Sequence, residues 1–254
     1  MSINNRTLLT YLNKLLKPET LQDFCPNGLQ VEGKTTVGKI ICGVTASQAL
    51  IDQAIEQKAD AIFVHHGYFW KGEDPCVQGM KKRRLATLLA HDINLYAYHL
   101  PLDVHPQWGN NVQLAKQLGI EVLGALQVPS APEGIVMHGR FETGIEPQAL
   151  SKRLEHRLAK VPLLEQVNNQ LIHTVAWCTG GGQGYITAAA EQGVDAFITG
   201  EVSEQTIHSA REMNIHFYAA GHHATERYGA RAIGEHLAET FDVDVTFIDI
   251  ANPA

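Results

Sequence analysis

The 254-residue chain carries 20 Lys and Arg against 27 Asp and Glu, a formal net charge of −7, and 44% of it is hydrophobic. That acidic balance disfavours a protein that coats nucleic acid, and the hydrophobic share excludes disorder over most of the length. No apolar run approaches the roughly 20 residues that span a bilayer, and four cysteines without a CxxC pair point to a reduced, cytoplasmic protein.

The opening stretch MSINNRTLLTYLNKLL has neither the continuous apolar region nor the small-residue cleavage site of a secretion signal, and it is read as an amphipathic helix over residues 2–16. A Pro- and Gly-containing loop, CPNGLQVEG, follows at 25–33. KIICGVTAS at 39–47 reads as a buried strand running into a turn, and 47–57 has apolar residues at helical spacing. ADAIFVHH at 59–66 is a second buried strand, 81–92 a helix, 93–100 a strand, and 110–120 a helix ending near Gly119. The second half repeats this alternation. A strand within 171–186 enters the glycine-rich turn TGGGQG, and a helix covers 186–192. A strand at 195–201, a helix at 203–213, the segment NIHFYAAGHH at 214–223, a helix at 224–241 and a closing strand at 243–250 follow. Strands and helices alternating at these lengths predict α/β layers with an at least partly parallel sheet.

EQKADAIFVHH at 56–66 aligns without gaps to EQGVDAFITGE at 191–201, and INLYAYHL at 93–100 resembles IHFYAAGH at 215–222. We infer a degenerate internal duplication. It predicts two similar lobes related by a pseudo-twofold, with a shared site between them. The first lobe is expected over 1–126, with 230–254 packing back on it, and the second over 127–254. QVPSAPEG at 127–134 is the linker candidate.

Thirteen histidines are many for this length, and two pairs occur beside apolar runs, His65–His66 and His222–His223. His65 and His66 end a buried strand, where ligands bind in open α/β sheets. Adjacent strand residues point to opposite faces, so both reach one ion only where the strand breaks, and Gly67 supplies a break. Asp103 follows a second strand end in HLPLDVHPQWGNN. His222 and Glu226 stand four apart, on one helical face. Imidazoles and carboxylates together suit zinc, manganese, iron or nickel. Five such ligands fit two ions sharing a bridging carboxylate, Glu226 or Asp103, better than one closed tetrahedral site. His99 and His223 are candidates to orient a ligand. Glu201, aligned with His66, is a candidate general acid/base, with His99 the other proton-moving candidate. TGGGQG lacks the Lys of a P-loop and reads as a tight turn or as amides that hold a phosphate, and Lys81, Lys82, Arg83 and Arg84 read first as a solvated helix face, with a phosphate contact as the alternative. Tyr68, Phe69, Trp70 and Trp108 read first as core, with walling of a pocket as the alternative.

VHHGYFWKGE (64–73), HLPLDVHPQWGNN (99–111), TGGGQG (179–184), TGE (199–201) and GHHATERYG (221–229) strongly resemble the GTP cyclohydrolase 1 type 2 homologue family, also called Nif-three-like. NGLQVEG (27–33) and FIDIANP (247–253) extend the resemblance over nearly the whole chain, in what looks like the short bacterial form. The resemblance implies a three-layer α/β fold of two lobes with mixed sheets and a dinuclear metal centre in the cleft between them. It also implies a homohexameric ring. The family's ligands fall on His65, His66, Asp103, His222 and Glu226, two divalent ions per subunit. The implied activity is metal-dependent hydrolysis of a nucleotide, with GTP imidazole-ring opening by a metal-activated water as the named chemistry. Two other classes stay open: another dinuclear metallohydrolase, a phosphatase or amidohydrolase acting on modified or damaged nucleotides, or a non-enzymatic metal-binding ring scaffold.

Overall fold

The computed structural model describes residues 1–129 and 131–254, so Ser130 of the linker candidate lies outside the described residues. Asn4 ends a two-residue strand (β1, Ile3–Asn4) and caps the first helix (α1, Asn5–Leu16), its side chain accepting from the amides of Arg6 and Thr7. Leu8, Leu12 and Leu16 recur at helical spacing and are the buried face. Then come β2 (Gly28–Val31), β3 (Thr36–Val37), β4 (Lys39–Thr45), α2 (Gln48–Glu56), β5 (Ala61–His66), α3 (Gly79–Ala90), β6 (Asn94–Ala97) and the short α4 (Leu100–Val104). The chain continues through α5 (Asn110–Leu118), β7 (Glu121–Ala125), β8 (Met137–Ile145), α6 (Pro147–Leu158), β9 (Leu163–Glu165), β10 (Ile172–Cys178), α7 (Ile186–Glu191), β11 (Ala196–Thr199), α8 (Glu204–Glu212) and β12 (His216–Ala219). It closes with α9 (His222–Thr225), α10 (Arg227–Phe241) and β13 (Asp244–Phe247).

These elements form two units, Met1–Leu102 with Gly229–Ala251, and Asp103–Tyr228 with Asn252–Ala254. The first holds a five-stranded mixed sheet in the order β13-β4-β5-β6-β2, in which only β2 runs antiparallel to its neighbour. Its core joins Ile41, Ile62, Val64 and Leu95 of the sheet to Leu50, Ile51 and Ala54 of α2 and Leu85 and Leu88 of α3. The second holds a six-stranded mixed sheet, β7-β8-β10-β11-β12-β9, with β10, β11 and β12 parallel and the outer strands antiparallel. Its core packs Val175, Trp177, Ile198 and Tyr218 against Leu150, Leu154 and Leu158 of α6 and Leu114 and Leu118 of α5. No helix among the described residues is long and apolar enough to cross a membrane.

The inferred duplication has a structural counterpart at one aspartate in each unit. Asp60 Oδ2 accepts from the amides of Gly38 and Lys39, and its own amide donates to the Lys39 carbonyl. Asp195 Oδ2 accepts from the amides of His173 and Thr174, and its own amide donates to the Thr174 carbonyl. The strand pairs then run in matching register, Ile40 beside Ala61 and Val175 beside Ala196. The third strand joins in the same way: the Asn94 amide donates to the Asp60 carbonyl, and that of His216 to the Asp195 carbonyl. In both units the aspartate staples the start of the first parallel strand to the start of the next.

Several segments differ from expectation, among them the helix α6, where none was expected. The 25–33 loop contains β2, an edge strand against β6. The helix expected over 224–241 is two helices broken at Glu226. The antiparallel strands β7, β8 and β9, for which no strand was expected, flank the second sheet. β8 alternates exposed and buried residues irregularly and carries polar residues at Arg140, Glu142 and Thr143, so no apolar run marks it.

Burial opposes charge on Asp60, but the hydrogen bonds from Lys34, Gly38 and Lys39 outweigh it and hold the carboxyl below its ordinary value. The carboxylate therefore stabilises the fold above the ordinary carboxyl range, and that contribution is lost as pH falls through the depressed value. Asp60→Ala is expected to destabilise the protein by about 1–3 kcal/mol in urea unfolding. The gap between wild type and Asp60→Asn should shrink as the medium is acidified from neutral.

Candidate metal centre

His65 and His66 end β5, beside the ends of β4 and β6. His65 is fully buried, and its Nδ1 lies 3.1 Å from the carbonyl oxygen of Tyr98. His66 Nδ1 lies 3.2 Å from the hydroxyl of Thr45, its neighbour across the parallel ladder. The two ring centroids are 4.4 Å apart, inclined at 45°, so both imidazoles reach the same place although they are adjacent on a strand. Gly67 permits the turn that follows, because a Cβ there would collide with Gln30 and with Ala97. His99, just past β6, brings a third ring 5.1 Å from His65 and 5.8 Å from His66. One nitrogen from each ring falls within a 4.8 Å set.

His99 is held by a residue that was not singled out in the sequence. Its Nδ1 is 2.7 Å from Asp23 Oδ1. Asp23 Oδ2 also accepts from Asn27 Nδ2 and from the Leu100 amide. Burial opposes the charge on Asp23, but the hydrogen bonds from His99 and Asn27 prevail and keep its carboxyl below the ordinary value. No local signal marks Asp23, because its partner is 76 positions away.

The second unit by itself holds two buried carboxylates. Asp103, at 7% exposure, accepts at Oδ1 from Asn110 Nδ2 (2.9 Å) and Thr179 Oγ1 (3.3 Å). Glu226, at 3%, stands at the break between α9 and α10, with φ −108° and ψ 6°. Its Oε2 lies 3.2 Å from His222 Nε2, so the four-residue spacing does bring the pair together, across a helix end rather than along a continuous helix. His222 Nδ1 is 2.7 Å from Glu201 Oε1. The hydrogen bond with Glu226 leads the causes that raise the His222 imidazole to about 9; burial works against it, and Glu201 adds to it. Cys178 is inert as a nucleophile, its thiol pushed far up by burial and then by the charges of Asp103 and Glu226.

The glycine turn serves this arrangement. Gly180, at φ +66°, could not carry a side chain, since a Cβ would meet the Glu226 carboxylate. The Gly180 amide donates to the Thr225 hydroxyl and the Gly182 amide to the Thr199 hydroxyl, so both are used inside the fold and not offered to a phosphate. Of the basic run on α3, Lys81 pairs with Glu73 at 3.4 Å and lies over the Phe69 ring. Tyr68 is core, its hydroxyl donating to the Ala46 carbonyl, whereas Trp70 meets the His99 ring edge-on at 5.0 Å.

Imidazoles anchored at Nδ1, with buried carboxylates, are the donor types that borderline divalent ions take. The model for Duf34/NIF3 (NGG1p interacting factor 3) matches residues 3–253. The chain belongs to the Duf34/NIF3 family. Within it, the chain is 58% identical over 253 residues to the GTP cyclohydrolase 1 type 2 homolog of Yersinia pestis, covering 99% of this chain and all of that protein. It is 57% identical over 253 residues to the protein of the same name in Escherichia coli K12, with the same coverage of both chains. Of solved structures, "protein ybgI, unknown function" superposes with a TM-score of 0.95 at 56% identity, over 99% of this chain and all of that one. TTHA1606 from Thermus thermophilus gives 0.89 at 35%, also over 99% of this chain and all of that one. The α/β fold of this family is thus the fold of the chain.

In metal-stripped protein the His222 imidazole is expected to keep its proton to about 9, followed by NMR of the ring resonances. Glu226→Gln removes the leading cause and should bring the midpoint down toward the ordinary imidazole value. Gly180→Ala should weaken divalent metal uptake by displacing the Glu226 carboxylate, read as metal retained per chain after dialysis.

Proposed function

We propose that the chain is a metal-dependent hydrolase of a nucleotide, with His65, His66, Asp103, His222 and Glu226 as ligands to two divalent ions. The observation that carries this reading is the burial of two carboxylates, Asp103 and Glu226, in one unit. A carboxylate charge taken out of water needs a compensating charge, and a divalent cation supplies one. The anchored imidazoles of His65 and His66 support it from the other unit. The names of the relatives bring GTP as the substrate class, and the family resemblance implies opening of the imidazole ring of its guanine. Water adds at C8, the ring opens, and a second hydrolysis releases formate.

Bound divalent ions lower the pKa of water and stabilise developing negative charge. The chain's own side chains do the rest. Asn110 and Thr179 fix the orientation of the Asp103 carboxylate, and Gly180 leaves room for that of Glu226. Glu201 is half exposed and hydrogen-bonded to His222 Nδ1. It orients that ring, and it is the side chain we assign to proton movement. The family resemblance supports assembly as a homohexamer, which light scattering on a sizing column checks.

The deciding assay reconstitutes stripped protein with zinc, manganese, iron or nickel and measures formate, phosphate and ammonia from GTP and other nucleotides. Formate from GTP is expected, with Asp103→Ala and Glu226→Ala each losing at least about 100-fold in kcat/KM, or about 2.7 kcal/mol of transition-state stabilisation. Full activity in either variant refutes the centre as catalytic. Phosphate or ammonia in place of formate moves the chain to another hydrolase class.

A further inference from the structure

We propose that Phe24 and Trp70, both in the first unit, form the surface on which the purine base of the nucleotide stacks. This assignment rests on the nucleotide reading above and deepens it: it names the side chains that take the base, where the five ligands take the ions.

An exposed apolar side chain standing alone calls for no explanation. Phe24 does not stand alone. It is 60% exposed, and its ring meets the His99 imidazole at 6.4 Å with the planes inclined at 64°. The half-buried Trp70 meets the same imidazole at 5.0 Å and 83°, and His66 at 6.0 Å. Two large aromatic rings therefore converge on one imidazole, just past β6 and beside the last residue of β5, its parallel neighbour. The carboxyl ends of parallel strands are where open α/β sheets bind their ligands.

Both rings are carried on fixed backbone. The Phe24 amide donates to Asp23 Oδ1 and its carbonyl accepts from the Lys71 amide, each at 2.6 Å. The Trp70 amide donates to Glu73 Oε2 at 3.2 Å, and its carbonyl accepts from the Glu73 amide at 3.0 Å. Gln30 holds Tyr68 at both its amide and its carbonyl. Phe69, next to Trp70, is kept at φ +65°, a conformation that costs a bulky residue energy and persists where the surroundings enforce it, as in ligand clamps. A ring on fixed backbone loses little further freedom when something stacks on it. The chemistry that fits is a planar heteroaromatic ring: every base has a π-face, and stacking on an aromatic side chain needs no hydrogen-bond partner. A purine offers more ring area than a pyrimidine. Gln22, Lys71 and Glu73, which flank the rings in the chain, are polar and exposed. That suits a small ligand and not the core of a protein interface, where charged residues are depleted.

The test uses the full, metal-reconstituted chain. GTP binding is read by stopped-flow quenching of tryptophan emission, before turnover, and hydrolysis by steady-state formate release. GTP is expected to quench the wild type and not Trp70→Phe, which identifies the responding ring. Phe24→Ala should weaken GTP binding and raise KM by about 5–100-fold, with kcat unchanged, and Phe24→Tyr should restore both. Inorganic triphosphate, which has no base, should inhibit wild type and Phe24→Ala equally. GTP and ATP should bind more tightly than CTP. A melting curve confirms that each variant folds. Wild-type GTP affinity in Phe24→Ala overturns the stack, and so does an equal loss of triphosphate affinity. A change in size on a sizing column with GTP binding intact also overturns it, by assigning Phe24 to a contact between copies. The hydrolase reading fails separately. Quenching that Phe24→Ala abolishes, without formate from the wild type, keeps the stack and refutes the hydrolase. Formate release at wild-type KM in Phe24→Ala does the reverse, and a wild type that neither binds nor opens GTP refutes both.

Discussion

A hydrogen-bond acceptor at Nδ1 decides which nitrogen of an imidazole keeps its lone pair, and the candidate centre depends on that choice being made in advance. Tyr98 makes it for His65 and Asp23 for His99. Without those partners each ring would populate two tautomers and several rotations, and ligation would have to select among them. The scaffold therefore places its precision on atoms one bond removed from the chemistry. Asp23 shows how far this reaches, because a carboxylate with four donors cannot turn away from His99.

A similar use of single side chains is visible in the sheets. Asp60 and Asp195 tie two strand starts together with one oxygen each, in matching register. The two units then diverge at the other ends of those strands. β5 runs out into two histidines, whereas β11 runs out into Gly200 and Glu201. The two units share the staple and differ at the functional end, as expected where a common scaffold carries variable chemistry at the carboxyl ends of parallel strands.

Much of this was legible in the sequence, for reasons that can be named. β4 and β5 are short, continuous apolar runs that only a doubly covered strand produces, and α2 opens on Ser47, a capping residue, followed by Leu50, Ile51 and Ala54 at helical spacing. The ligand candidates were legible because their types and spacing stand out against apolar neighbours. What stayed hidden is tertiary. β2 is a strand because β6 offers it an edge, and its own Gly-Leu-Gln-Val reads equally well as a turn. The helix break at Glu226 leaves no Pro or Gly at the break itself. His99 stood out as a residue near a ligand set, but its Nδ1 partner lies on a loop far back in the chain, where no pattern of period or charge points to it.

The first unit is discontinuous: β13, on the edge of its sheet beside β4, lies beyond nearly the whole of the second unit in chain order. A ribosome delivers Asp103–Tyr228 before it delivers Asp244–Phe247. During synthesis β4 therefore waits with one row of backbone donors and acceptors open, while nearly all of the other unit is already out of the tunnel and free to fold. The unit begun first is thus completed late, and His65 and His66 end a strand of a sheet whose edge strand arrives only after the six strands of the other sheet have been made.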